Sequence, residues 1–476
     1  NIPTFTNFQD KFEMESIESK SMHRRLGHME HNMLVSNLMG AGIYLGIDVL
    51  ESQAEISYQH LSDVFTEVSK LNYLMQACIR FEGKSYFFQP MDPTFLLSDW
   101  MLIDEISLDR WEDCEKLIPE LIETKFDYKK GPLWKVALLK IPAKGNKIFS
   151  YMLVTVLSHV ICDAKFDANL IFNQVLPLLN GDILKYKPLY FAKAQEQILN
   201  GFSEEELILA NRPTIPFHFR LIGNIISWSL YLYRSLFGES TPIPLHKHYK
   251  SLVIDEQSTK EFISACKAKG KTVHSILMIL MYNAINEVNK RFNTKIGNGQ
   301  MMFPVDLRKF NEHLNEPVRM PMGNYVHIGT AKIMKAVPID NEESIFKKAD
   351  ELMASIKQYN SPNPVIDQFE MGYVIIEKGE LRPYLFDKFP PMTSLSNLGN
   401  CDAMNKYNNE DATVTIKNHF FAVKAGSGVF FTANTFNSKL HIFVSSGMKE
   451  NHPILNEFVL ENLKGNIFEF VRLYSA

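Results

Sequence analysis

Apolar residues follow one another over 148–157, where only a serine and a threonine interrupt the run. A run of this length that is rich in β-branched and aromatic residues predicts a strand buried on both faces. Polar residues begin directly after it, with His159 and, four positions later, Asp163. Over 164–179 the apolar residues recur at helical spacing, and the following Asn-Gly favours the end of a helix. The pattern therefore predicts that His159 lies in a turn between a buried strand and a helix.

The rest of the chain shows the same two periodicities. Helical spacing of apolar residues occurs over 56–74, 108–124, 258–269, 273–288, 342–358 and 454–473. Strand patterns occur over 46–50, 77–83, 84–89, 133–141, 248–255, 301–308, 323–328, 420–425, 429–433 and 440–446. The small polar residues of 393–399 favour a loop. We therefore expect α+β domains.

The length of 476 residues exceeds what one hydrophobic core usually organises, which predicts two domains or one large pseudo-repeated unit. A polar stretch at 185–206 and a break at 238–244 favour a boundary between these positions. We assign 1–200 to an N-terminal subdomain, 201–247 to a crossover segment and 248–476 to a C-terminal subdomain. The two halves share a rhythm of strands and helices, although no repeat is visible at the level of residues.

An aromatic and aliphatic segment, 215–237, lies within the crossover and has arginines near both ends. Three structures suit it: an interfacial helix on a membrane, a lid over an apolar tunnel, and a helix buried between two domains. No run of 18 or more apolar residues is long enough to span a bilayer. We expect a cytoplasmic protein, with peripheral membrane contact through 215–237 as the open alternative.

Composition narrows the classes of protein further. The net charge of −4 provides no basic field for nucleic acid. The 5 cysteines are far apart and include no C-x-x-C pair, which argues against a disulfide framework and a zinc knuckle. His23, His28 and His31 lack the spacing of a known ligand set, so no metal site is expected. The 34 Phe and 21 Met residues favour apolar pockets as well as core.

The spacing His-x-x-x-Asp is a weak signal alone, because it is expected about once by chance in a chain of this composition. Of the 14 histidines, only His159 has an aspartate at the fourth following position. An imidazole at the end of a rigid strand can act as a general base near neutral pH. The alternative is a histidine that simply caps a buried strand, and the pattern favours neither.

Five segments, in order along nearly the whole chain, carry a family resemblance. They are Arg25-Leu26-Gly27-His28-Met29-Glu30, Pro132-Leu133-Trp134-Lys135-Val136, Ser158-His159-Val160-Ile161-Cys162-Asp163, Pro304-Val305-Asp306-Leu307-Arg308 and Ser396-Asn397-Leu398-Gly399. Through this ordered set the chain resembles the alcohol acetyltransferase branch of the CoA-dependent acyltransferases that share the condensation-domain fold. The set is more specific for the superfamily than for the branch.

The chain also departs from its relatives. Many of them have histidine at position 158 and glycine at position 164, where this chain has Ser158 and Ala164. The first histidine is usually not the base, so activity is not put in doubt. The Asp-Phe-Gly-Trp-Gly motif of the plant acyltransferases is absent, which argues against that branch.

The resemblance implies an α/β (α+β) fold of two similar subdomains, each a mixed sheet flanked by helices, as in chloramphenicol acetyltransferase. An active-site tunnel would run between the subdomains with His159 at its middle. A late strand, around 420–425, would cross over to complete the sheet of the other subdomain. The implied reaction is the transfer of an acyl group from a thioester to a hydroxyl or an amine.

The resemblance also implies roles for individual residues. His159 would be the general base, while Asp163 would pair with Arg308 as an internal clamp; a triad-like Asp163 that orients the imidazole is the rival interpretation. The tetrahedral oxyanion needs a hydrogen-bond donor. The candidate donors are Asn324, Ser394, Ser396 and Asn397. The candidate lysines for the CoA phosphates are Lys267, Lys269 and Lys271, although a solvated helix face explains them better.

Four functions remain open at this point. The first is an acyl-CoA-dependent O-acyltransferase that acetylates a hydrophobic alcohol, with acyl-CoA as co-substrate and no permanently bound cofactor. The second is an N-acyltransferase that acts on an amine such as a long-chain base. The third is a condensation-type enzyme fed by a carrier protein, which is weakened because no serine-bearing carrier motif accompanies the residues of this sequence. The fourth is a non-catalytic binding module, and the presence of His159, Asp163 and Arg308 together argues against it. We expect the protein to be a monomer.

Overall fold

The computed structural model describes residues 23–38, 41–82, 85–92, 101–105, 117–123, 125–141, 148–184, 193–194, 197, 246–296, 300–311, 320–333, 335–360, 375–377, 380–382, 392–407, 412–424, 428–448 and 455–475. The segment 215–237 lies outside these residues, as does most of the helix expected over 108–124. The proposed division of the chain at 200 and 247 stays a prediction.

The strands are β1 Arg24–Arg25, β2 Ile43–Ser52, β3 Ala77–Glu82, β4 Ser85–Pro90, β5 Met101–Glu105, β6 Trp134–Ile141, β7 Phe149–Ser158, β8 His246–Ile254, β9 Gln300–Asp306, β10 Val326–Lys332, β11 Ile375–Glu377, β12 Glu380–Arg382, β13 Met392–Asn400, β14 Val414–Val423, β15 Gly428–Phe436 and β16 Lys439–Met448. The strand patterns of the sequence fall on these elements, with boundaries that differ by a few residues.

The helices are α1 His28–Leu38, α2 Tyr58–Leu71, α3 Ile118–Ile122, α4 Ala164–Leu170, α5 Leu176–Leu179, α6 Glu256–Ala268, α7 Val273–Phe292, α8 Glu342–Tyr359 and α9 Leu455–Tyr474. A π-helical segment, Ile171–Val175, connects α4 to α5. Thr272 caps α7, because its side chain accepts a hydrogen bond from the backbone of Ser275.

The first sheet has the strand order β14-β2-β7-β6-β5. The central strand β7 pairs antiparallel with both β2 and β6, and its residues 151–158 are all buried. This arrangement confirms the buried strand predicted from the apolar run, because a strand with neighbours on both edges and covered faces tolerates few polar residues. The strand patterns over 77–83 and 84–89 are also confirmed, since β3 pairs antiparallel with β4 in a separate small sheet.

The second sheet has the strand order β10-β9-β13-β15-β16-β8 and is mixed, because β13 runs parallel to both β9 and β15. The prediction of a loop over 393–399 is therefore wrong. These small polar residues belong to β13, a strand inside the sheet. Leu395 faces the core of this half, while Ser394 and Ser396 occupy the alternate face.

Strand β14 belongs to the C-terminal half of the chain but completes the first sheet by pairing antiparallel with β2. Side chains of the second sheet bind its backbone: Asn434 donates to the carbonyl of His419 at 3.1 Å, and Ser445 donates to that of Val423 at 2.8 Å. The crossover strand expected from the family resemblance is thus present, and it connects the two sheets.

Two hydrophobic cores accompany the two sheets. One contains β2, β6, β7, α2 and α4, and the other contains α7, α9 and the inner face of the second sheet. Within the described residues, no helix is both long and apolar enough to cross a membrane.

Candidate active site

His159 follows β7 at the edge where the first sheet faces the second. Its backbone N–H donates to the carbonyl of Gly42 at 3.1 Å, so the turn continues the pairing between β2 and β7 for one more residue. Gly42 has a φ of 70°, and a Cβ at this position would lie 2.8 Å from Asn37 Nδ2. The strand-to-helix turn predicted from the sequence is therefore confirmed, and a glycine makes room for it.

The imidazole of His159 is half-buried and lies 2.7 Å, through Nδ1, from the carbonyl oxygen of Cys162. A carbonyl can only accept, so this contact assigns the hydrogen to Nδ1 and leaves the lone pair on Nε2. Burial lowers the pKa of His159, although the Cys162 carbonyl and the charge of Asp163 oppose this effect. The lowered pKa favours a neutral ring whose Nε2 lone pair is not used by the Cys162 contact.

Asn324, from the second half of the chain, contacts the His159 turn. Its Nδ2 lies 2.9 Å from the carbonyl oxygen of His159 and 3.2 Å from His159 Nδ1. The first contact is a hydrogen bond, whereas the second joins two donor groups and only marks their proximity. Asn324 is buried, and its Oδ1 has no hydrogen-bond partner among the described residues. The amide thus holds the backbone of the histidine turn.

The Asp163 carboxylate does not bind the imidazole; its hydrogen bonds go to other residues. Its Oδ1 accepts from the backbone of Phe166 at 3.0 Å, which caps α4, and its Oδ2 accepts from the backbone of Tyr325 at 2.9 Å. Arg308 Nη1 lies 2.6 Å from the same Oδ2. The pairing expected between Asp163 and Arg308 is present, and both side chains are fully buried.

Arg308 is itself fixed by further contacts. Its Nη2 donates to the carbonyl of Gly323 at 3.1 Å, and its guanidinium lies 4.8 Å from the centre of the Tyr325 ring. Because Asn324 sits between these two residues in the chain, the arginine positions the segment that carries the amide. Asp163, Arg308 and Asn324 therefore form one continuous support for the His159 turn.

Sequence reasoning missed a second ion pair at this junction. Lys165 Nζ lies 2.8 Å from Asp306 Oδ2, and Asp306 also receives the backbone N–H of Arg308 at 3.0 Å. Burial opposes ionisation of Asp306, but Arg308 and Lys165 lower its pKa. Asp306 belongs to one of the five family segments, so the sequence did mark it as a candidate site residue. Lys165 lies in an ordinary helical pattern, and nothing in the sequence marked it as the partner of Asp306.

Ser394 and Ser396 are placed on the face of β13 that turns towards β14. Ser396 pairs in register with Thr432, whose hydroxyl donates to the backbone of Phe421 on β14, and Ser394 pairs with Phe430. Asn397 alternates with them: it pairs with Ala433, a residue of the C-terminal core, and accepts a hydrogen bond from the backbone of Gly399 at 2.8 Å. The role of all three as oxyanion donors stays a prediction.

The three candidate CoA-binding lysines lie at the junction of α6 and α7. Lys269 Nζ is 2.7 Å from Glu342 Oε1, and Lys271 Nζ is 2.5 Å from Asp350 Oδ1. Lys267 lies on the exposed side of α6. Within the described part of the chain, no three His, Cys, Asp or Glu side chains are grouped as metal ligands would be. Cys162 is fully buried, and burial raises its pKa well above the ordinary value, so it packs in the core.

Two more buried side chains beside the site were not found from the sequence. The ring of Tyr44 meets that of His159 edge-on, with 6.1 Å between the ring centres, and its hydroxyl donates to Asp167 at 3.2 Å. Both lie in segments whose pattern is that of ordinary core. Tyr44 and Asp167 are 123 residues apart along the chain, so no local sequence pattern could have indicated their contact.

Comparison with solved structures identifies the fold. The trichothecene 15-O-acetyltransferase TRI3 from Fusarium sporotrichioides matches with a TM-score of 0.63 and 9% identity, over 94% of this chain and 95% of that chain. The first condensation domain of the CDA synthetase matches with a TM-score of 0.59 and 12% identity, over 96% and 98%. The condensation domain from the monacolin K polyketide synthase MokA matches with a TM-score of 0.58 and 11% identity, over 95% and 98%.

The chain therefore has the mixed α/β fold that condensation domains share with this acetyltransferase. No protein-family model matches the sequence, and no curated protein sequence matches it. The structural similarity at these low identities concerns the fold, and activity has to be argued from the residues of the site.

Proposed function

We propose that this protein is an acyltransferase that moves an acyl group from a CoA thioester to the hydroxyl of a hydrophobic alcohol, with His159 as the general base. One observation carries the proposal. Nδ1 of a half-buried imidazole faces the Cys162 carbonyl, which leaves Nε2 as the available proton acceptor. The fold supports it, because an acetyltransferase and condensation domains have the same architecture.

The reaction needs no covalent enzyme intermediate. Nε2 of His159 takes the proton of the acceptor hydroxyl while the oxygen attacks the thioester carbonyl. The new C–O bond forms, and the C–S bond then breaks as the tetrahedral intermediate collapses. The proton held by the imidazole passes to the departing CoA thiolate. The lowered pKa of His159 supports this role, because the ring starts the cycle unprotonated.

The oxyanion donors belong to the same proposal. Asn324, Ser394, Ser396 and Asn397 remain the candidates, and the position of Ser394 and Ser396 on the inward face of β13 favours them. Asn324 already donates to the carbonyl of His159, which favours a role in holding the turn. Lys267, Lys269 and Lys271 are proposed to bind the CoA phosphates.

A carrier-protein-fed condensation reaction is the second candidate, because two of the similar structures are condensation domains. The same base would then deprotonate an amine nucleophile, and a phosphopantetheine arm would deliver the thioester. An N-acyltransferase that uses free acyl-CoA needs the same base as well. Because all three reactions use the same base, the candidate functions are distinguished by the substrates that react: an alcohol or an amine as acceptor, and free acyl-CoA or a carrier protein as donor.

The test is thiol release from acetyl-CoA in the presence of a panel of alcohols and amines. Wild-type protein should release thiol with at least one hydrophobic alcohol, and His159→Ala should lower the rate by about 10²–10⁴-fold. The matched control is His60→Ala, on α2, which should leave the rate unchanged.

An unchanged rate in His159→Ala would refute the mechanism. A wild-type protein that is silent with acetyl-CoA but active with an acyl-loaded carrier protein would favour the condensation reaction instead. The expected monomeric state and the membrane contact through 215–237 stay predictions beside this proposal.

A further inference from the structure

A group of buried polar side chains that the proposed chemistry does not use lies directly beneath the candidate base. Its members come from four elements, and each is at most 1% exposed. They are Tyr44 and Asp48 on β2, Thr155 on β7, Asp167 on α4 and His419 on β14. Buried polar groups of this kind are costly unless each finds a partner, so their arrangement has to be accounted for.

Asp167 is the hub of the half nearest the base. Its Oδ2 accepts from the Tyr44 hydroxyl at 3.2 Å, and its Oδ1 accepts from the Thr155 hydroxyl at 2.9 Å. A Cβ on Gly46 would lie only 2.2 Å from Oδ2, so the absence of a side chain at this position creates the space for the carboxylate. The carboxylate is thus held between β2, β7 and α4 by two hydroxyl donors.

Tyr44 connects this hub to the imidazole. Tyr44 and His159 are also close along the backbone, because Gly42, two residues before Tyr44 and directly before β2, accepts the backbone N–H of His159 through its carbonyl. The Tyr44 ring meets the His159 ring at 62°, with 6.1 Å between centres. On its other side Tyr44 stacks on Phe421 of β14, with 6.1 Å between ring centres and 25° between planes. A swing of the side chain about its Cα–Cβ bond would lose both the stacking contact and the hydrogen bond of the hydroxyl.

Asp48 and His419 form the other half of the group. His419 Nδ1 lies 2.8 Å from Asp48 Oδ1, and the two residues pair in register across β2 and β14. This pair holds the crossover strand, and with it Phe421, against the strand that carries Tyr44. Phenylalanine at position 44 would fill nearly the same volume without burying a hydroxyl, so what the hydroxyl adds is orientation.

We propose that Tyr44 is a positioning residue for His159. Asp167 fixes the Tyr44 hydroxyl, and the fixed ring edge limits rotation of the imidazole, so that Nε2 keeps one direction while Nδ1 stays on the Cys162 carbonyl. The effect of Tyr44 on catalysis rests on the proposed function, whereas its effect on the orientation of the His159 ring does not. The test therefore measures the ring orientation and the reaction rate separately.

The first readout is nuclear magnetic resonance of protein labelled with [ε1-¹³C]histidine, with the His159 signal assigned by its loss in His159→Ala. Wild-type protein should give one sharp His159 signal from the Nδ1–H tautomer. Tyr44→Phe keeps the ring and removes the bond to Asp167. In this variant the His159 signal should broaden or divide, and the tautomer ratio should move towards Nε2–H. Asp167→Asn removes one acceptor from the hub and should move the same signal, which keeps the test available if Tyr44→Phe folds poorly.

The second readout is the rate of thiol release from acetyl-CoA. Because a misdirected base affects the chemical step, Tyr44→Phe should lower kcat by about tenfold and change the KM for acetyl-CoA by less than about twofold. Tyr151→Phe is the matched control. It also removes a buried hydroxyl from the first sheet, one that accepts from the backbone of Ile56 at 2.9 Å. This control should lower the thermal midpoint but leave the His159 signal and kcat unchanged.

An unchanged His159 signal in both Tyr44→Phe and Asp167→Asn would overturn the proposal and leave the group a purely structural one. A change of equal size in Tyr151→Phe would do the same, because the effect would then be general softening of the sheet. If wild-type protein releases no thiol with any acceptor, the proposed function fails, and the resonance experiment alone decides the positioning role.

Discussion

Arg308 Nη1 lies 2.6 Å from Asp163 Oδ2, and neither side chain reaches solvent. The pair joins two halves of the chain, because Asp163 follows the central strand of the first sheet and Arg308 follows β9 of the second. The same carboxylate caps α4 and receives the backbone of Tyr325. A clamp of this kind holds the turn of the candidate base through Asp163, whose hydrogen bonds go to Phe166, Arg308 and Tyr325.

The first prediction concerns the energetic role of this pair. Arg308→Met should lower the free energy of unfolding by about 3–5 kcal/mol, because it leaves the Asp163 carboxylate buried without its counter-charge. Asp163→Asn should be similarly costly, since it leaves the guanidinium unpaired. The measurement is urea unfolding followed by fluorescence. In the double variant Asp163→Asn with Arg308→Met, the loss should be smaller than the sum of the two single losses.

The control is Lys70→Ala, which breaks an exposed ion pair with Glu67 on α2 and should change stability by less than about 1 kcal/mol. A different outcome would revive the triad-like interpretation of Asp163. If Asp163→Asn keeps wild-type stability but loses thiol release, the aspartate acts on the imidazole and the clamp is secondary.

The second prediction concerns the pH dependence of the reaction. Burial lowers the pKa of His159 below its ordinary value of 6.5, so the acidic limb of kcat/KM should lie below pH 6.5. Asn324→Asp places a carboxylate where Nδ2 now lies 3.2 Å from His159 Nδ1. A negative charge at this distance favours the imidazolium, so the limb should move to higher pH by about 1 unit or more.

The measurement is kcat/KM for acetyl-CoA against pH in both proteins. The control is Asn462→Asp on α9, whose amide donates to the carbonyl of Phe458 at 2.7 Å. This variant makes the same chemical change elsewhere in the fold and should leave the limb in place. An acidic limb that does not move in Asn324→Asp would mean that the group it reports is not His159.

Strand β7 and the turn that carries His159 were predicted well from the sequence, and the reason is physical. A central strand between two neighbours must be apolar over its whole length, so β7 and the point where its apolar run ends are both visible in the residues themselves. The Asp163–Arg308 contact spans 145 residues, and only the family resemblance could propose it. Nothing in the local pattern distinguishes Arg308 from an exposed arginine.

The loop predicted over 393–399 was wrong because the tertiary structure overrides the local preference of these residues. Small polar residues usually favour turns, but β13 lies between two parallel partners whose backbone groups satisfy its own. Its polar side chains are accommodated because Ser394 and Ser396 face the space between the sheets. Tyr44 and Asp167 were missed because each lies in a sequence pattern typical of the hydrophobic core. Their contact joins residues that are distant in sequence and forms only on folding.

The third prediction links Asp167 to stability. Burial raises the pKa of Asp167 to about 7, and the charge of Asp48 adds to this effect, while His419, Thr155 and Tyr44 oppose it. The pKa of Asp48 is raised by burial against the influence of His419, and that of His419 is raised by Asp48 despite burial. All three folded-state values are raised, so the folded protein holds protons more tightly than the unfolded chain.

Stability from such groups is present at low pH and is lost as the pH rises through their folded pKa values. The free energy of unfolding of wild-type protein should therefore fall between pH 4 and pH 8 relative to that of Asp167→Asn. The shift of Asp167 alone corresponds to a change on the order of 4 kcal/mol. Denaturant unfolding at several pH values measures it. Asp63→Asn, an exposed change on α2, should reproduce the wild-type slope, and a parallel slope in Asp167→Asn would show that Asp167 does not titrate in this range.

The fourth prediction tests the lysines proposed for the CoA phosphates. Lys269 and Lys271 already contact Glu342 and Asp350, and each of these carboxylates is more than half exposed. A phosphate that binds there must compete with both. If the lysines bind CoA, Lys267→Ala with Lys271→Ala should raise the KM for acetyl-CoA several-fold with little change in kcat, because a remote phosphate contact supplies binding rather than chemistry.

Removing the carboxylates that compete with phosphate for Lys269 and Lys271 is the more direct test. Glu342→Gln with Asp350→Asn removes two negative charges and frees both ammonium groups, so the KM for acetyl-CoA should fall in this variant and rise again with added salt. Lys290→Ala on α7, which breaks an exposed pair with Glu287, serves as the control for a general loss of surface charge. Unchanged KM values in both double variants would assign these lysines to the stability of the α6–α8 packing and place the CoA phosphates elsewhere on the protein.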